Sequence, residues 1–124
     1  MSEPIVFISR NKIKEGRADD FTKHYRGSVG LTMAGKPGTQ AQLAYVNEED
    51  TEVVIVRLFH AADALDLQIQ GADERSKKTY ELIEPIGIEI LGTPNPSTLE
   101  KMKRIAGSEV AVRISPQYMG GFIR

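Results

Sequence analysis

The sequence predicts a single α+β domain in which helices cover one face of an antiparallel sheet. Three observations indicate this fold class. A chain of 124 residues can form one domain with a core but is short for two. Its periodic segments run strand, helix, strand, strand, helix, strand, followed by one more helix and strand. The strand-like segments also carry apolar residues on both faces, so both faces of the sheet should be covered.

The first predicted strand is "PIVFISRNKI" (4–13), where Ile5 and Phe7 face one way while Val6 and Ile8 face the other. A helix follows, because apolar residues then recur at steps of three and four. This stripe consists of Ala18, Phe21, Tyr25, Val29 and Met33. The glycines and proline of "AGKPG" should end the helix.

The next two segments, "TQAQLAYVN" (39–47) and "EVVIVRLFH" (52–60), are joined by the short polar stretch "EEDT" and therefore predict a hairpin. In the first of these strands, alternation separates two sets of side chains. Ala41, Leu43 and Tyr45 share one face, and Gln42, Ala44 and Val46 share the other.

A second helical stripe follows the hairpin and is interrupted by Gly71, which predicts two helical pieces or one bent helix. The stripe consists of Ala62, Leu65, Ile69, Ala72, Ser76, Tyr80 and Ile83. The strand "IGIEILG" (86–92) comes next, with Ile86, Ile88 and Ile90 on one face.

The C-terminal part begins with Ser97 and Glu100, whose spacing is typical of a capping box at the start of a helix over 97–106. A last strand, "EVAVRIS" (109–115), places Val110, Val112 and Ile114 inward, and "PQYMGGFIR" (116–124) ends the chain. Because Phe122 and Ile123 would otherwise be exposed side by side, we expect this tail to pack over a cavity mouth or a partner.

Two successive βαβ halves of this kind predict a ferredoxin-like βαββαβ sandwich with its helices on one sheet face. We expect a core over about 4–94 and a C-terminal extension over about 95–124, within one domain spanning 1–124. The second apolar sheet face is most simply covered by a second subunit packed sheet to sheet, which predicts a homodimer with a barrel-like interior.

Composition excludes several classes of function. Sixteen basic and seventeen acidic residues predict no general attraction to nucleic acid or to an anionic membrane. The absence of cysteine excludes disulfides, thiolate nucleophiles and cysteine-ligated metal sites, and two histidines distant in sequence are a poor metal site. The N-terminus lacks the features of a signal peptide, so we expect a soluble, cytoplasmic protein.

The segments "ISRNKIKEGRADDF", "GADERSKKTYELIEPIGIEILG" and "YMGGFIR" together resemble the antibiotic biosynthesis monooxygenase (ABM) domain family, within the dimeric α/β-barrel superfamily. The resemblance covers nearly the whole chain. It implies a ferredoxin-like homodimer in which each subunit keeps an apolar cavity between sheet and helices.

The resemblance also implies a function: some members oxygenate quinols or aromatic phenols without flavin or metal, so no cofactor is expected. A histidine common in relatives corresponds here to Gln68, which cannot act as a base near neutral pH. Two alternatives therefore stay open. The chain could be a non-catalytic dimer that binds a small ligand, or an isomerase or lyase of the same superfamily.

Six residues are candidates for the site. His60 ends the third strand and could replace the missing base, and Tyr80 lies on the buried helical stripe with a hydroxyl that needs a partner. Arg57 shares a face with apolar residues, where its charge requires solvent, a carboxylate or an anionic ligand. The remaining ligand-binding candidates are Gln68, Tyr45 and Asn11. For each residue a structural role is the competing interpretation, such as a core tyrosine bonded to the backbone or an arginine extending to solvent.

Overall fold

The structure, a computed structural model, describes residues 3–124, apart from the side chains of residues 73 and 75. Its strands are β1 (Ile5–Ile13), β2 (Thr39–Val46), β3 (Glu52–Phe59), β4 (Ile83–Leu91) and β5 (Ala111–Ser115). Its helices are α1 (Ala18–Gly35), α2 (Ala62–Ile69), α3 (Ala72–Thr79) and α4 (Pro96–Ala106). The fold is therefore α+β, as the sequence predicts.

The strands form one sheet in the order β2-β3-β1-β4-β5. Neighbours among the first four strands are antiparallel, whereas β5 lies parallel to β4 at the edge. The order of the first four strands, β2-β3-β1-β4, is that of a ferredoxin-like sandwich, so this prediction is confirmed. Within one chain the sheet is open and does not close into a barrel.

One face of the sheet is covered by the helices, and we call it the covered face. Its core falls into two apolar clusters at opposite ends of β1. The first comprises Ile5, Phe7, Phe59, Ala64, Leu65, Ile88, Ile90 and Met102. The second comprises Ile13, Phe21, Val53, Ile55, Leu82 and Ile83. The extension contributes Met102 of α4 to the first cluster, and Val112 and Ile114 of β5 also pack against that cluster.

The other side, which we call the open face, has no helical cover. Val6, Ile8, Val54, Val56 and Leu58 point to this side and are only partly buried. Leu43 and Tyr45 of β2 are more exposed, at 52% and 64%. The predicted apolar second face therefore exists.

The two helical pieces predicted around Gly71 are confirmed, because Gly71 adopts a left-handed conformation with φ of 77° between α2 and α3. The predicted continuation of the second piece is wrong. The helix ends at Thr79, and Ile83 is the first residue of β4. Pro85, which follows shortly after, cannot lie in a helix interior.

Three finer expectations are corrected by the structure. Ile86 is 44% exposed because the register of β1 against β4 shifts there, so it does not share the buried face of Ile88. Met33 is 76% exposed at the end of α1. No capping box forms: α4 begins after Asn95, without a side-chain cap, and Pro96 supplies its first turn.

Every residue from 116 to 124 is exposed, so the tail is not buried against the described part of its own chain. No helix in the described part of the chain combines the length and apolarity that crossing a bilayer requires.

Candidate functional site

A band of polar side chains separates the two apolar clusters of the covered face. On β1, Ser9 and Asn11 lie on the same face as Phe7 and Ile13, between one residue of each cluster. Arg57 of β3 pairs with Phe7 in the sheet register. Gln42 of β2 pairs with Arg57, and Tyr25 and Tyr80 approach from the helical layer. We call these six residues, Ser9, Tyr25, Asn11, Gln42, Arg57 and Tyr80, the polar strip.

Hydrogen bonds fix the orientation of the arginine. Arg57 Nε donates to Gln42 Oε1 at 2.9 Å, and Gln42 Nε2 donates to Tyr25 Oη at 3.4 Å. Tyr25 in turn stacks on the buried ring of Phe21 with centroids 6.1 Å apart. A guanidinium held in this way is preorganised to receive an anion, because few side-chain rotamers remain to be ordered on binding.

Tyr80 lies at the C-terminal end of α3, within the electrostatic range of Arg57. Burial raises the pKa of its phenol above the ordinary value of 10.0. The positive charge of Arg57 and a hydrogen bond with Ser76 oppose that rise without cancelling it. Tyr80 is therefore a neutral hydroxyl at physiological pH, suited to donating a hydrogen bond.

Asn11 is the most buried member of the strip, at 3% exposure, and its Nδ2 donates to Ser9 Oγ at 3.3 Å. The other five members are partly exposed. Because the clusters on either side are buried, this partial exposure makes the strip the solvent-accessible part of the covered face between them.

His60 and Gln68 lie elsewhere. His60 is exposed at the end of β3, where its Nδ1 is 3.3 Å from the carbonyl oxygen of Gly38. Gln68 is buried, and its Oε1 accepts a hydrogen bond from Thr39 Oγ1 at 3.1 Å. Both residues adjoin the loop before β2, at the end of the sheet where Phe59 pairs with Ile5. The structure thus does not bring the proposed base His60 together with Tyr80.

Tyr45 points to the open face and shares no surface with Arg57. Its exposed ring belongs with the apolar residues of that face. Of the six candidates, the structure brings Arg57 and Tyr80 within electrostatic range and places Asn11 on the same face of the sheet, opposite Val53. His60, Gln68 and Tyr45 lie apart from them.

Sequence reasoning missed three members of the strip as functional residues. Ser9 and Gln42 occur at alternating positions that otherwise face the core, so a polar residue on a buried face was the available signal. Tyr25 was assigned to the apolar stripe of α1, and nothing in its spacing distinguishes a packing tyrosine from one that bonds Gln42.

The strip can stabilise negative charge but offers no proton acceptor near neutral pH. It contains one permanent cation, Arg57, several neutral donors, and neither a carboxylate nor an imidazole. Elsewhere in the described chain, no three side chains of His, Cys, Asp or Glu converge in a way that could hold a metal ion.

Two surface depressions lie outside the strip. The larger, of about 610 Å³, lies between α2 and α4. The carboxylate of Asp66, which lines this depression, accepts hydrogen bonds from Asn95 and Thr98 and so links the two helices. The smaller, of about 240 Å³, lies beside Arg10 and Arg113 on the open face. Thr98, which lines the larger depression, is a buried polar residue, and its hydroxyl is already bonded to Asp66.

Solved structures show the same fold. MupZ from Pseudomonas fluorescens superposes with a TM-score of 0.69 at 16% identity, over 98% of this chain and 91% of that chain. SnoaB from Streptomyces nogalater, a cofactor-independent oxygenase, has a TM-score of 0.62 at 13% identity, over 76% and 96%. A protein from Bordetella bronchiseptica assigned to the antibiotic biosynthesis monooxygenases has a TM-score of 0.58 at 20% identity, over 72% and 95%.

No protein-family model matches the sequence, and no curated protein matches it. The structural similarities place the chain in the ferredoxin-like fold of the ABM proteins, as expected from the resemblance. The match to MupZ extends over the C-terminal extension, whereas SnoaB leaves about a quarter of this chain without a counterpart.

Proposed function

We propose that this protein is a homodimeric oxygenase that acts on a small, electron-rich phenol or quinol without a cofactor. The observation that supports the proposal is the polar strip on the covered face, where Arg57 and Tyr80 can hold an aromatic anion. A further support is that SnoaB, which shares the fold, is a cofactor-independent oxygenase. In this proposal the substrate binds from the solvent-accessible side of the strip, with its ring between the two apolar clusters.

The reaction requires little from the protein, because an ionised phenol can itself reduce dioxygen. In the proposed monooxygenation, a ring methylene loses two hydrogens and gains one oxygen atom as a carbonyl. The second oxygen atom leaves as water with those hydrogens, so the four electrons that reduce O₂ come from the substrate. Arg57 stabilises the substrate anion, and the Tyr80 hydroxyl donates a hydrogen bond to its oxygen.

The chemistry of the strip narrows the substrate class. Since none of its six residues accepts a proton near neutral pH, the substrate must bind as an anion or release its proton to water. Anthrones and quinols whose own pKa is lowered by conjugated carbonyl groups meet this requirement.

The test is oxygen uptake with a panel of anthrones and quinols, using protein stripped of metal and flavin. We expect turnover above the spontaneous rate, and product carrying one atom from ¹⁸O₂. Rates equal to the spontaneous rate for the whole panel would count heavily against the proposal.

A matched pair of variants assigns any activity to the strip. Arg57→Met should lower kcat/KM by about 10- to 100-fold, the loss expected for a charge-assisted hydrogen bond of about 1.5–3 kcal/mol. Arg26→Met removes an exposed arginine from α1 and should leave the rate unchanged. Equal effects of the two substitutions would place the reaction elsewhere.

The second candidate is a non-catalytic dimer that binds the same class of anion. The observation that favours it is the absence of a base from the strip, together with Gln68 bonded to Thr39. Thermal-shift screening with the same panel, followed by mass spectrometry of the ligand, distinguishes the two. A ligand that stabilises the protein and is recovered unchanged in air supports binding alone.

The homodimer is proposed on the open face. Seven apolar side chains there have no helical cover, and an uncovered group of apolar side chains on one face is typical of an association surface. They are Val6, Ile8, Leu43, Tyr45, Val54, Val56 and Leu58. Sedimentation at micromolar concentration should give a dimer, and a monomer would contradict this part of the proposal.

A further inference from the structure

Two neighbouring pairs of residues connect α1 with the end of α3 on the covered face. Tyr25 of α1 and Tyr80, which follows α3, both belong to the polar strip and pack against the second apolar cluster. The residues directly before them, His24 and Thr79, are joined by a hydrogen bond, with His24 Nε2 2.9 Å from Thr79 Oγ1. This bond therefore links the two helices one residue away from the two phenols of the strip.

The placement of α3 depends strongly on polar contacts. Gly71 separates α3 from α2 with a φ of 77°, so α3 does not continue in the direction of α2. The helix sequence ADERSKKT contains one apolar residue, and among the described side chains of α3 only that of Ala72 is buried. A helix without an apolar stripe gains little from packing on a core, so its hydrogen bonds contribute more to fixing its position.

His24 lies on a part of α1 that the core holds firmly. Its ring centroid is 6.5 Å from that of Phe21, which is only 3% exposed. Phe21 also stacks on Tyr25. Because one buried ring contacts both side chains, the position of His24 is fixed relative to Tyr25 and the strip.

Tyr80 is held from both sides along the chain. On the C-terminal side, Leu82 and Ile83 are buried in the second cluster, and Lys14 Nζ donates to the carbonyl oxygen of Tyr80 at 2.7 Å. On the helical side, the bond between Thr79 and His24 ties the preceding residue to α1. The direction of the phenol toward Arg57 therefore depends on a contact at each side of Tyr80.

The bond between His24 and Thr79 does not require one charge state of the imidazole. A hydroxyl can donate to an unprotonated ring nitrogen or accept from a protonated one. Thr79 therefore satisfies His24 Nε2 in either state, which suits a permanent tie and not a pH-sensitive switch.

We propose that His24 is a positioning residue for the reaction, which acts through Thr79 to hold the Tyr80 hydroxyl where it donates to the substrate anion bound by Arg57. The inference rests on the proposed function, because it gives a residue outside the polar strip a role in that reaction. His24 itself contacts no reacting atom in this proposal.

Two substitutions of His24 separate the hydrogen bond from packing. His24→Leu removes the bond and keeps an apolar side chain beside Phe21, whereas His24→Gln supplies an amide that can restore the bond. We expect kcat/KM for oxygen uptake with the anthrone and quinol panel to fall about 3- to 10-fold in His24→Leu, the factor that one neutral hydrogen bond supplies. His24→Gln should recover most of that loss.

Lys23→Leu is the matched control, since it places a leucine at an exposed position one residue earlier in α1. It should leave kcat/KM unchanged. The same comparison in a Tyr80→Phe background, which lacks the hydroxyl, should show almost no further loss from His24→Leu. A loss of equal size with and without the Tyr80 hydroxyl would show that His24 does not act through Tyr80, and would overturn the inference.

The ionisation of Tyr80 provides a test that needs no turnover. Burial raises the pKa of this phenol above 10.0, while Arg57 and a hydrogen bond with Ser76 oppose the rise. Release of the tie should lessen the burial, so the pKa should fall toward 10.0 in His24→Leu and stay raised in His24→Gln. The phenolate absorbance in an alkaline titration, after subtraction of the signal from Tyr80→Phe, measures this change.

The two measurements distinguish failure of the inference from failure of the proposed function. Full activity in His24→Leu, or an unchanged pKa of Tyr80 in that variant, overturns the role of His24 and leaves the oxygenase intact. If no member of the panel is turned over, the proposed function is wrong. A pKa of Tyr80 that responds to His24→Leu and not to His24→Gln then still supports the positioning of Tyr80 by His24.

Discussion

The covered and open faces of the sheet use the same strands and differ in what buries them. On the covered face, helices of the same chain bury two apolar clusters and leave a polar strip between them. On the open face, the apolar side chains of β1, β2 and β3 are uncovered. The β4 side of that face instead carries an ion pair, Arg10 Nη1 to Glu89 Oε1 at 3.5 Å. The first face therefore stabilises the chain, and the second is available for association.

The largest expected effect is a difference in the free energy of unfolding between substitutions at two neighbouring residues of β3 that point to opposite faces. Phe59→Ala removes a fully buried ring and should lower the free energy of unfolding by about 3–5 kcal/mol. Leu58→Ala, on the open face, should lower the stability of the monomer by much less. Urea denaturation measures both, and equal losses would contradict the division between the faces.

The next effect concerns association. Val56→Asp places a carboxylate at the centre of the open face, where dimerisation would bury it without a partner. We expect the dimer dissociation constant to rise about 100-fold, equivalent to about 2.7 kcal/mol. Val56→Thr is the control and should have a smaller effect. Analytical ultracentrifugation of Val56→Asp that shows an unchanged dimer would exclude the open face as the interface.

A smaller effect is expected from the pH dependence of stability at the polar strip. Because the pKa of Tyr80 is raised above 10.0 in the folded protein, the unfolded chain releases this proton first as pH rises. The free energy of unfolding should therefore be constant with respect to Tyr80 below pH 10 and fall above it.

The variant Tyr80→Phe isolates this contribution, since the other titrating groups are common to both proteins. The difference in stability between the two proteins should change above pH 10 in favour of Tyr80→Phe. A difference that is independent of pH up to pH 11 would show that Tyr80 is not desolvated.

The smallest expected change in the free energy of unfolding comes from two glycines within α1. Gly27 and Gly30 lie within this helix, and a Cβ added at either would meet no atom within 4 Å. Gly27→Ala and Gly30→Ala should each stabilise the protein by about 0.5–1 kcal/mol. Gly71→Ala is the contrasting variant, because its φ of 77° disfavours alanine and should make that substitution destabilising. Loss of stability on either helix substitution would indicate a close contact at that position.

Sequence periodicity predicted most of the covered face because burial by the same chain leaves a regular pattern. Phe21, Leu65 and Ile90 are buried where the helical and alternating patterns placed them. The sequence patterns gave a wrong prediction at two positions, where a register shift or a helix end changed the direction of the side chain. The register shift opposite Asn11 exposes Ile86, and the end of α3 at Thr79 moves Ile83 into a strand.

The candidate site was predicted only in part, since its members come from β1, β2, β3 and the helical layer. Arg57 was identifiable because a charge among apolar neighbours needs a reason. Its contact with Gln42 depends on the register in which β2 pairs with β3. The periodicity of either strand alone does not give that register.

The sequence by itself determined the order of the elements and which strand faces are apolar, because both follow from local spacing. Tertiary structure alone decided that Arg57, Tyr80 and Asn11 lie on one surface while His60 and Tyr45 do not. It also decided that residues 116–124 lie exposed. These outcomes depend on strand register and on the side from which the helices cover the sheet, which are properties of long-range packing.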